Sequence, residues 1–144
     1  MRPYRGKTYD GEWVYGYLVE GENSYIITED LFYSAVVTMP NCLGESHMST
    51  SCYHVDPDTV GQYVTTYNNQ EIYEDDIIKD EGEKLFEIKF GEYIYENGDI
   101  QIHTVGFYTV VSDEKEIWNF PFYLEKGDKI IGNTIDNPEL LKDV

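Results

Sequence analysis

The chain has 144 residues, and its 28 acidic against 10 basic side chains give a formal charge of -18. Binding to DNA, RNA or an anionic membrane by phosphate neutralisation is therefore disfavoured. That length suits one domain or two small subdomains with a self-sufficient core, and disulfides are not needed to compensate for size. Aromatics make up 15% of the chain and 14 residues are Tyr, a composition that favours strands over disorder.

The opening "MRPYRGKTYDGE" lacks the apolar segment of a signal peptide, and no apolar run is long enough to cross a membrane. The expectation is a soluble, intracellular protein whose Cys42 and Cys52 stay reduced. "GEWVYGYLVE" then alternates with a period of two, which predicts a strand. Gly16 at its centre points to a bulge or a close neighbour. "GEN" at 21–23 reads as a turn into a second strand, "SYIIT", making a hairpin. "LFYSAVVTM" is a third apolar run, and residues 40–51 read as a long exposed loop.

"VDPDTVGQY" restarts order, with a turn or one short helical turn at Pro57, Asp58 and Thr59. A further turn falls at Asn68–Gln70. Strands follow at about 76–79, 84–95, 100–111, 117–124 and 129–132. Asn97–Gly98 joins two of them as a hairpin, because both residues accept positive φ. Asn137–Pro138 reads as a helix start, with the Asn side chain capping and Pro at the first helical position. The expected fold is mainly β: antiparallel strands in a partly closed, SH3-like barrel, an N-terminal hairpin region and a short C-terminal helix. The division falls between an N-terminal subdomain, 1–66, and a C-terminal barrel-like one, 67–144.

Three constellations carry chemical interest. Glu71, Glu74, Asp75 and Asp76 crowd together before Ile77–Ile78, but acid–base catalysis needs a pocket and a partner. A solvated turn leading into a strand is the simpler reading. Cys42, His47, Cys52 and His54 offer the donor types zinc prefers, yet their spacing provides no local chelating pair. They read as a flexible loop without metal. Cys52, His54 and Asp56 match a catalytic triad in composition only, since side chains of one strand cannot wrap around a common substrate atom. No phosphate-cradling or dinucleotide motif is present. No cofactor is therefore expected.

Near the C-terminus, "EIWNFPFYLE" places Trp118, Phe120 and Phe122 on one side of a strand, and Pro121 implies an edge position. These three aromatics are the candidate partner-binding residues.

Three blocks, "RGK…DGEWVYGYLV", "VDPDTVGQY…EIYEDDII" and "KIIGNTIDNPELL", resemble in order and spacing the YopX family of small phage and prophage proteins. The resemblance implies a mobile-element origin, the bacterial cytoplasm and self-association. It carries no catalytic residues to this chain. It also implies Gly at the position of Asp75 and a longer Lys/Gly-rich turn in place of "VTTYNNQ". A non-enzymatic accessory or protein-binding role is the expectation. The alternative is an acidic DNA mimic that occupies a host nucleic-acid-binding protein.

With so few cations, self-repulsion opposes folding near neutrality, and screening relieves it. The melting temperature is expected to rise between about 20 and about 300 mM sodium chloride, as the Debye length falls from roughly 20 to roughly 6 Å. A steady fall over that range would contradict the reading.

Overall fold

The computed structural model describes residues 2–28, 52–112 and 116–141. The "LFYSAVVTM" run and the 40–51 loop lie outside the described residues. The chain divides into two compact units, residues 1–65 and 66–144.

The first unit is built from strands β1 (Tyr4–Thr8), β2 (Trp13–Glu20), β3 (Ser24–Thr28) and most of β4 (Cys52–Tyr67). All pairings are antiparallel, in the order β1-β2-β3-β4, and β1 also pairs with β4, so the sheet closes into a ring. Gly16 shows why the β2–β3 hairpin needs glycine. It has a φ of +159°, and a Cβ there would stand 1.9 Å from the Ile27 carbonyl oxygen. The close neighbour expected from the sequence is this backbone. Tyr25, Ile27 and Cys52 form one buried cluster, with Val19 packed against it, and Ile26 and Val55 are buried as well.

Pro57 does not end the strand, contrary to the separate turn expected there. The β1–β4 register slips between Lys7↔Asp56 and Arg5↔Gly61, so residues 57–60 bulge out of a continuous β4. A bulge is where a strand tolerates Pro, because no ladder bond is lost. Thr59 pins it: its hydroxyl donates to the Asp56 carbonyl at 2.6 Å and accepts from the Lys7 amide at 2.8 Å.

The second unit holds β5 (Gln70–Tyr73), β6 (Asp76–Lys79), β7 (Leu85–Asn97), β8 (Ile100–Ser112), β9 (Ile117–Pro121) and β10 (Lys129–Asn133). Asn68 and Asn69, both at positive φ, form the tight turn before β5. Strands β6 to β10 make an open antiparallel sheet in the order β10-β6-β7-β8-β9. Ring closure therefore belongs to the first sheet, not to the C-terminal part where it was expected. The β7–β8 turn differs slightly from the Asn–Gly expectation. Gly98 has positive φ but Asn97 does not, as in a turn with glycine at the first central position.

The expected C-terminal helix reduces to one 3-10 turn, Pro138–Leu141. Asn137 does not cap it as anticipated. Its Oδ1 instead accepts the Asn133 amide at 3.2 Å, tying the segment back to β10.

The acidic stretch is a turn, as expected, but not a solvated one. Glu74 and Asp75 form the corner between β5 and β6, and Asp76 is only 3% exposed. Its Oδ2 accepts the Tyr73 amide at 2.8 Å. Asp75 sits at φ +73°, where glycine is easiest and Asp is among the better-tolerated alternatives. Its amide donates to the Ile88 carbonyl at 2.8 Å, and its carbonyl accepts the Thr134 amide at 2.9 Å. Around this corner Ile72, Tyr73, Ile77, Ile78 and Ile88 are fully buried.

Asp76→Ala would leave a buried N–H without its acceptor, and denaturant unfolding is expected to show a loss of about 1–3 kcal/mol. Asp75→Gly relieves the positive φ but gives up the Lys89 contact; Asp75→Val gives up the same contact and is β-branched at positive φ, so it should be less stable than Asp75→Gly by about 1 kcal/mol or more. Equal losses for Gly and Val would show that the backbone conformation is not what position 75 requires.

Candidate functional site

A concavity lies in the second unit, on one face of the open sheet. Its floor follows from strand register. Phe86, Val111 and Trp118 are directly opposite one another across β7, β8 and β9, and Thr109 stands opposite Phe120. Residues two apart share a face, so these side chains form one apolar surface. Pro121, Tyr123 and Leu140 complete a groove of about 1090 Å³. Trp118 is 42% and Phe120 45% exposed, so both present ring surface to whatever enters.

The rim is acidic: Asp80, Glu83, Glu125 and Asp128 border the groove, with Lys84 as the one cation among the described residues. Two of these carboxylates also hold backbone. Asp80 Oδ1 accepts the Lys84 amide at 2.8 Å, and Asp128 Oδ2 accepts the Glu125 amide at 2.8 Å. Glu83 pairs with Lys79. The wall that carries Trp118 is the edge strand β9.

The three expected aromatics part company here. Trp118 and Phe120 line the groove, but Phe122 does not. Strand β9 ends at Pro121, so the alternation that would have placed Phe122 beside them stops, and Tyr123 takes that place. Phe86 and Val111 were not singled out from the sequence. The signal was present in "LFEIKF", whose even positions Phe86, Ile88 and Phe90 are all apolar.

The other candidates do not assemble. Cys42 and His47 lie outside the described residues. Cys52 is buried and disulfide-bonded, contrary to the reduced thiol expected, so it offers neither a thiolate ligand nor a nucleophile. His54 lies between aromatic rings, with centroids 4.9 Å from Tyr9 and 5.2 Å from Tyr25. Asp56 Oδ1 accepts the Asp58 amide at 3.0 Å and so caps the bulge. Among the described residues, no three His, Cys, Asp or Glu side chains are grouped to hold a metal.

Lys89 reinforces the acidic corner behind the groove. Its ammonium lies 3.0 Å from Asp75 Oδ1 and 2.5 Å from Glu87 Oε1. Partial burial disfavours the charge, but the hydrogen bonds to Glu87 and Asp75 outweigh it and hold Lys89 above the ordinary lysine value of 10.5. This stabilisation is complete below that value and is lost only as pH rises through the higher, folded one.

Among the described residues, no helix is long and apolar enough to cross a membrane. No curated protein and no solved structure matches the chain. The family model described as YopX protein matches residues 3–142. With nearly the whole length covered, the chain belongs to the YopX family.

Proposed function

We propose that this protein is a non-enzymatic accessory protein of a phage or integrated element, and that it binds a protein partner through the groove of its second unit. The observation that carries the reading is the pair Trp118 and Phe120, each more than two-fifths exposed on an apolar floor bordered by carboxylates. Large aromatics on a desolvated floor are the usual anchors of protein interfaces. The rim selects a segment with apolar side chains and basic flanks over an acidic one.

The mimicry alternative has less support, because it needs carboxylates spaced freely like phosphates. Asp56 and Asp76 are each turned onto a backbone amide, and Asp75 and Glu87 onto Lys89.

The test compares the full chain with Trp118→Ala and Phe120→Ala as baits in a bacterial lysate, alongside thermal melts. Each variant is expected to weaken partner capture by at least about thirtyfold, the effect of an interface anchor. Stability should fall by less than the roughly 3–5 kcal/mol of a truncated core Trp. Undiminished capture, or a collapsed melt with Trp118→Ala, would overturn the assignment.

A further inference from the structure

Among the described residues, strand β9 is the margin of the open sheet that borders the groove. The Phe122 amide donates to the Phe107 carbonyl at 3.1 Å, in register with Thr109↔Phe120 and Val111↔Trp118. Backbone groups of an antiparallel strand face a given neighbour at every second residue. Trp118 and Phe120 therefore turn their N–H and C=O groups to β8, and Ile117, Asn119 and Pro121 turn theirs away from the sheet. Pro121, which has no N–H, stands where β8 needs none. The outward row offers the N–H and C=O of Ile117 and Asn119 and the carbonyl of Pro121.

The groove beside this row is acidic at one end. Strands β6 and β7 part after Lys79↔Leu85, and β10 begins at Lys129, opposite the same Lys79. The turns 80–84 and 125–128 thus lie together past that end of the sheet, so close that a Cβ on Gly127 would meet the Glu81 side chain. They carry the rim carboxylates Asp80, Glu83, Glu125 and Asp128, which with Glu81 outnumber Lys84 and Lys126 of the same turns. Phe86 follows Leu85 and stands opposite Val111, which faces Trp118. The carboxylates therefore gather past the Trp118 end of β9, and Phe120 and Pro121 mark the apolar end.

Building on the groove reading, we propose that the occupant is a strand of a partner protein that adds antiparallel to β9, with apolar residues opposite Phe120 and Trp118 and Lys or Arg next on the same face. Antiparallel addition continues every other pairing of this sheet. A strand running against β9 passes Phe120 first, Trp118 two residues later and the carboxylates two residues after that. Its pattern is apolar-x-apolar-x-basic, because alternate side chains share a face. Main-chain bonds supply affinity in such additions, and the alternate side chains supply specificity. Charge selects the occupant: basic groups meet the carboxylate cluster, whereas a second copy of a chain of charge -18 brings like charge to it.

Fluorescence anisotropy of the full chain at low salt compares three labelled, end-capped peptides: Thr-Val-Thr-Val-Thr-Lys-Thr-Lys, the same residues in reverse order, and the first with both Lys replaced by Glu. The first should bind at least about tenfold tighter than either of the others, and Trp118→Ala and Phe120→Ala should each weaken it. Residue-resolved hydrogen exchange reads the mode. With the first peptide bound, the outward amides of Ile117 and Asn119 should slow at least about tenfold, and those of Trp118 and Phe120, already bonded to β8, by less. Binding that needs Trp118 and Phe120 but ignores peptide order, or leaves the Ile117 and Asn119 amides unchanged, would overturn strand addition and leave the groove standing. No binding of any peptide up to about 1 mM would overturn strand addition as well. Undiminished binding with both variants would overturn the groove together with it.

Discussion

The second unit depends on one corner, the turn from Tyr73 to Asp76. A carboxylate is rarely buried, because desolvating it costs more than most contacts return. Asp76 is buried nonetheless, and the Tyr73 amide it accepts lies at 2.8 Å. The same corner binds two other elements through the backbone and side chain of Asp75: β7, at Ile88 and Lys89, and the segment just after β10, at Thr134. Strands distant in sequence thereby meet at one residue. The fully buried Ile72, Ile77, Ile78 and Ile88 surround it, so polar satisfaction and apolar burial occur at the same place, each requiring the other.

The groove follows from this arrangement. With β7 fixed to the corner at Ile88 and Lys89, its register sets β8, and β8 sets β9. Phe86, Val111 and Trp118 line up across three strands as a result. Among the described residues β9 is the last strand, and its Trp118 and Phe120 remain half-exposed. The first unit solves the edge problem differently, by closing β1 onto β4, which leaves no free margin in the ring. The contrast between a closed sheet and an open one puts the binding surfaces proposed here in the second unit.

Much of this was legible in the sequence where local chemistry decides. Strict alternation gave β2, the "SYIIT" strand was bounded by its turn, and β6 was placed at the residues it occupies. Gly16 announced the close approach of Ile27. The resemblance to relatives with glycine at position 75 agrees with the positive φ that Asp75 adopts. What stayed hidden required knowledge of distant partners. Pro57 reads locally as a turn, and only the slip of β1 against β4 makes it a bulge inside a strand. Asn137 reads locally as a cap, but Asn133 competes for its side chain and wins. Nothing in "YEDDII" shows that Asp76 will be buried, because the acceptor it provides matters only once Tyr73 is enclosed. The groove was half legible for the same reason: Trp118 and Phe120 are adjacent in one strand, whereas Phe86 and Val111 join them through pairing.

The central claim is that the Tyr73–Asp76 corner is the last part of the second unit to open. Native-state hydrogen exchange measures this directly at the amides of Tyr73, Asp75 and Thr134. If the corner holds β6, β7 and β10 together, these amides exchange only by global unfolding of the unit, with the same free energy and denaturant dependence as the core amides of the sheet. Exchange of all three by a small local opening, while the β7–β8 pairing around Ile88 stays protected, would contradict the account.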